Sequence, residues 1–132
     1  MNYNSIVIVR EVWDTRDLVG EILDAEGKIK ENVLVVKIMG KLVGEETIQA
    51  RRKINERLKN QKKVIFDLSK MDMTDGAGLG VFISCQTLVQ KQEGKIVFFG
   101  LNERLNNLFI ITRLKRVFTI FETQEEAIKS FS

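Results

Sequence analysis

The chain has 132 residues, 44% of them hydrophobic, which suffices for the core of one domain and gives no support for a second. Its 21 Lys and Arg stand against 18 Asp and Glu, a mild net +3 without long like-charge blocks, so nucleic acid is not indicated as a partner. With no histidine and one cysteine, Cys85, the usual zinc ligands, the general base of hydrolytic triads and a disulfide framework are all missing; the expectation is no metal, no cofactor and no catalytic residue.

Taken in chain order, Ser5 to Val9 (SIVIV) reads as a strand, whereas Asp14 to Glu31 is polar enough for loop, hairpin or short helix and stays open. Residues 1–30 are therefore an uncertain N-terminal extension or first strand of a single domain spanning 1–132. From residue 33 the chain alternates β-branched runs with amphipathic stretches, the pattern of an α/β layer fold. Val33 to Met39 reads as a buried strand ended by Gly40. Glu45 to Asn60 follows as a helix, with Ile48, Ile54 and Leu58 on its inner stripe and Arg51, Arg52, Lys53, Arg57 and Lys59 on a solvated face.

Lys63 to Leu68 is a central strand, after which a polar loop turns into a helix over Ala77 to Gln92. That helix carries Val81, Cys85, Leu88 and Val89 at i, i+4, i+7 and i+8, with Gly94 as its stop. Lys95 to Phe99 is a third strand. Asn102 caps a helix whose Leu105, Leu108, Phe109 and Thr112 share one face, and Val117 to Phe121 is a fourth strand. Thr123 and Glu126 stand in capping-box spacing before a short last helix containing Ala127, Ile128 and Phe131. The order from 33 on is βαβαβαβα. A mixed sheet with helices packed mainly on one side is expected. No run approaches ~18 apolar residues and the N-terminus lacks leader character, so a cytoplasmic chain without a membrane span is also expected.

The informative segment is Val64 to Phe82, where a hydrophobic strand runs through a polar turn into a glycine-rich helix start. Asp75 stands where a side-chain oxygen caps the free amides of the helix, and Gly76 and Gly78 allow close backbone approach. The spacing Gly76-x-Gly78-x-Gly80 misses the dinucleotide fingerprint, because the third position is Val81, and no Gly-Lys-Ser/Thr follows as a phosphate loop needs. Asp72 and Asp75 form a carboxylate pair without a metal-ligand set, and Cys85 falls on an apolar stripe as a small buried hydrophobe.

Asp75-Gly76-Ala77-Gly78-Leu79-Gly80 resembles the Asp-Ser-Ser-Gly-Leu-Gly type signature of the STAS (anti-sigma factor antagonist) family, and ENVLVVKIMGKL resembles that family's early strand and Gly turn. The resemblance implies a regulatory protein-binding module, not an enzyme, whose partner is an anti-sigma factor that is also a protein kinase. It places the docking surface on the Asp72 to Gly78 loop and the first turns of the 77–92 helix, with Met73, Thr74, Asp75, Gly76, Ala77 and Gly78 as the binding residues and exposed residues early in the 45–60 helix as a rim. In the family a serine after the Asp is phosphorylated, adding nearly two negative charges that spoil docking. Here that residue is Gly76, and Thr74 is the nearest hydroxyl for a relocated phosphosite. Val43 departs too, where phospho-switched members often carry an acidic residue. The alternatives are a structural STAS subunit of a signalling or lipid-transport assembly, and a ligand binder with a pocket near Asp72 to Gly78. Homodimerisation is left open.

Overall fold

The computed structural model describes the backbone of residues 11–14 and all of residues 33–131. The strand expected at Ser5 to Val9 and most of the open Asp14 to Glu31 segment lie outside the described residues. Five strands, β1 (Glu11–Asp14), β2 (Leu34–Leu42), β3 (Lys63–Thr74), β4 (Lys95–Phe99) and β5 (Thr119–Phe121), form one sheet in the order 1-2-3-4-5. β1 pairs antiparallel with β2, and β2 to β5 are mutually parallel, so the sheet is mixed as expected.

Helices α1 (Glu46–Leu58), α2 (Gly76–Lys91) and α3 (Glu103–Ile111) link successive parallel strands, and α4 (Gln124–Lys129) closes the chain. Each crossover steps to the next strand in the same direction. Since such crossovers are right-handed, all three linking helices are delivered to one face. On that face Leu34, Val36, Ile38, Val64, Phe66, Leu68, Ile96 and Phe98 meet Ile54, Leu58, Phe82, Cys85, Leu105 and Phe109 in the larger core. The alternate residues Val35, Ile65, Val97 and Phe99 point to the opposite face, where Ala127, Ile128 and Phe131 cover them. Burial on both sides explains why these strands read as continuous apolar runs.

Several elements differ from their sequence reading. Gly40 does not end β2: it takes φ +77 inside the strand, which continues to Leu42 past register shifts against β3. β3 likewise runs on through the stretch read as a polar loop, because β2's second half pairs with Lys70 to Thr74. Ile48 is 61% exposed. It lies six residues from Ile54, about 120° round the helix, so the inner face is built instead from Thr47, Ala50, Ile54 and Leu58.

The left-handed residue after α2 is Glu93 (φ +63), not Gly94. Gly94 is required for another reason: a Cβ there would meet the Lys62 Cα and carbonyl oxygen at 2.6 Å. Only Thr119 to Phe121 of the fourth expected strand pairs with β4; Leu114 to Arg116 form a 3₁₀ turn and Val117 faces solvent. Thr112, placed with the inner residues of α3, is its exposed C-cap and donates its hydroxyl to the Leu108 carbonyl at 2.8 Å. The Thr123/Glu126 capping box forms in full.

Candidate functional site

The parallel strands deliver the starts of α1, α2 and α3 to one end of the sheet, where α/β folds place their working loops. Asp75 is the joint of that end. It is extended (φ −129, ψ −170), and its Oδ1 accepts the Gly78 amide at 3.1 Å, satisfying a free donor of the first turn of α2. Its Oδ2 accepts the amide of Gly44 at 3.0 Å, in the turn before α1. The capping role read from the sequence is therefore real. The second bond was not legible, because Gly44 is 31 residues away.

Gly44 is itself locked, with φ +61 and its carbonyl accepting the buried Thr47 hydroxyl at 2.7 Å. Beneath Asp75, the Thr74 hydroxyl donates to the Leu42 carbonyl at 2.5 Å, tying the ends of β2 and β3 together. Gly78 lies over this pair: a Cβ there would fall 1.8 Å from Thr74 Oγ1 and 2.6 Å from the Leu42 oxygen. On the other side, Asn102 caps α3 through the Leu105 amide (2.8 Å) and donates to the Met71 and Asp72 carbonyls at 3.1 Å each. A shallow polar cleft lined by Lys41, Asp72, Asn102, Glu103, Arg104 and Asn107 opens there; its charged side chains are exposed or half-buried.

The six residues singled out from the sequence thus divide. Gly76 and Ala77 are exposed, and a Cβ on Gly76 would meet nothing within 4 Å. Asp75 is half-buried and structurally committed, and Met73 is half-buried with its sulfur 3.9 Å from an Arg104 nitrogen. Gly78 is buried, and Thr74 is only 5% exposed. Phosphorylating Thr74 would require its hydroxyl to leave Leu42 and the strand ends to part.

The first turns of α2, expected from the sequence to be exposed, present an outward stripe whose individual residues the sequence reading did not name. Gly76, Gly80, Ile83 and Thr87 recur at i, i+4, i+7 and i+11 and are all exposed, Ile83 at 45%. Gly80 is as open as Gly76. Two side-chain-free positions followed by an exposed isoleucine make a flat, partly apolar strip on which another backbone can lie close. The signal was present in Ile83, which falls off the Val81/Cys85/Val89 stripe.

Cys85 is buried under this strip, with its Sγ donating to Asn55 Oδ1 at 3.4 Å. Burial pushes the thiol from 9.0 up to about 12, partly offset by the charge of Arg51. A folded-state value above the unfolded one means that unfolding releases the proton first, so stability falls as pH rises from 9.0 towards about 12 and is unaffected below that window. We expect Cys85→Ala to flatten this alkaline decline in urea titrations, and the native thiol to resist a disulfide-exchange reagent at pH 8 while reacting fully in urea.

The family model described as STAS domain matches residues 24–127. The chain is 29% identical over 107 residues to the Anti-sigma-B factor antagonist of Bacillus subtilis (strain 168), covering 81% of this chain and 98% of that protein. The crystal structure of an anti-sigma factor antagonist from Mycobacterium paratuberculosis superposes with a TM-score of 0.70 at 14% identity, covering 98% of this chain and 97% of that one. An anti-sigma-factor antagonist (STAS) domain protein from Planctomyces limnophilus gives 0.65 at 15% identity, over 74% and 90% of the two chains.

Proposed function

The chain belongs to the STAS domain family, and from that premise we propose that it is the docking half of a regulatory protein pair, acting as an anti-sigma factor antagonist does: by occupying an anti-sigma partner and so releasing what that partner restrains. The observation that carries this reading is the open strip Gly76, Ala77, Gly80 and Ile83 at the start of α2, held on a frame that Asp75, Thr74 and Gly78 make rigid. A preorganised surface loses little entropy on binding, so affinity comes from close backbone approach and from burying Ile83. Gly76 and Ala77 are the contact residues; Asp75, Thr74 and Gly78 position them, and Met73 forms the edge towards α3. The neighbouring rim is the start of α1, where Ile48 is exposed.

On the resemblance of Asp75-Gly76-Ala77-Gly78-Leu79-Gly80 to the family signature, Gly76, which has no hydroxyl, takes the place of that signature's serine. We read this module as lacking the phospho-switch, so that its occupancy is set by its own amount and by competing partners. The test is affinity capture from the source cell with wild type and Ala77→Arg, a change at an exposed position that leaves the core intact. Wild type should retain a kinase-like anti-sigma protein that Ala77→Arg loses, with neither variant phosphorylated. Capture of the same protein by both would remove the α2 strip from the mechanism.

A further inference from the structure

Five large apolar side chains are strongly exposed among the described residues, and three of them fall within one eight-residue segment: Ile110 (52%), Ile111 (78%) and Val117 (57%). The same segment contributes Arg113, Lys115 and Arg116, all exposed, and no Asp or Glu occurs between Glu103 and Glu122. Lys115 is drawn back to Asn106 (2.7 Å), whereas neither Arg113 nor Arg116 is paired with a carboxylate among the described residues. Cations after the last turn of α3 suit its dipole. That accounts for the charges and leaves the isoleucines unexplained.

We infer that this corner, formed by the end of α3 and the 3₁₀ turn, rests on an anionic bilayer surface. The apolar side chains enter the headgroup boundary, and Arg113 and Arg116 lie against lipid phosphates. Exposures this high describe side chains that stand out from the surface rather than line a groove, which suits insertion into a soft interface. A second copy is the wrong occupant, because two-fold pairing of this patch would bring the cations of both copies together with no carboxylate of the patch to offset them. The corner meets α2 at the far end of the docking strip: Gln86, one turn beyond Ile83, donates to the Val117 carbonyl (3.4 Å), while Gly76 lies about 15 Å away along the helix axis. The inference is independent of what docks there.

The test is flotation of the full chain with vesicles of equal parts phosphatidylglycerol and phosphatidylcholine, against vesicles of phosphatidylcholine alone. Binding should be confined to the anionic vesicles and fall as salt is raised. Arg113→Gln with Arg116→Gln should weaken it about 25-fold, roughly fivefold for each cation. Ile111→Ser with Val117→Ser should abolish it while the circular dichroism spectrum stays native. No binding to anionic vesicles at low salt would overturn the inference. So would binding that survives both double variants, or retention on immobilised polyglutamate without any on vesicles.

Discussion

Phe98→Ala is expected to lower the unfolding free energy by about 3–5 kcal/mol, the largest loss available to a single truncation in this fold. Phe98 stands at the centre of the aromatic cluster: its ring lies 5.2 Å from Phe66, 5.7 Å from Phe82, 6.4 Å from Phe109 and 4.6 Å from Phe118, centroid to centroid. These rings come from β3, α2, α3 and the segment entering β5, so one cavity loosens four elements at once. The surrounding rings are themselves buried and packed against one another, which leaves them little room to collapse into the space. Urea denaturation followed by circular dichroism measures the loss, with Phe98→Leu as a partner variant expected to cost about 1–1.5 kcal/mol. A loss below about 1 kcal/mol for the alanine variant would mean that the core refills, contrary to the packing described.

Gly78→Ala is the second large effect and has the opposite origin, overfilling rather than emptying. The new methyl would sit 1.8 Å from Thr74 Oγ1 and 2.6 Å from the Leu42 carbonyl oxygen, well inside contact distance of both. The first turn of α2 must lift, and in lifting it breaks the Thr74 to Leu42 and Asp75 to Gly78 bonds. We expect a cost of about 3 kcal/mol, at the upper end for overpacking, despite the better helix propensity of alanine. Adding Thr74→Ala removes one clash and leaves the backbone one, so the double variant should recover only part of the loss. Gly80→Ala is the control: with nothing within 4 Å of its Cβ it should be neutral or stabilising, by about 1 kcal/mol at most. If Gly78→Ala were equally harmless, the tight seam under Asp75 would not exist as described.

Those two sites also show what was legible in the sequence. The strand and helix order from residue 33 was readable because the buried strands are apolar on both faces and the helices carry periodic stripes. Asp75, Asn102 and Thr123 were readable as caps because capping is local, linking a side chain to an amide three residues on. Non-local consequences were not. The extension of β3 to Thr74 depends on pairing with β2, and Thr74's burial depends on the Leu42 carbonyl 32 residues away. Of the residues singled out on that turn, Thr74 and Gly78 are therefore buried, while Gly80 and Ile83 in the first turns of the helix face out. Ile48 shows the complementary error, since an isoleucine on a helix was assigned to the core although its angular position puts it outside.

The central claim is that the bare start of α2 is the surface a partner covers. It is tested most directly by titrating the captured partner into isotopically labelled full-length chain and following backbone amide signals residue by residue. The account predicts changes concentrated on Gly76, Ala77, Gly80, Ile83 and the facing turn at Gly44 to Ile48, with the amides of Arg113 to Val117 unmoved. Changes centred instead on α3 or α4, with Gly76 to Ile83 undisturbed, would contradict it.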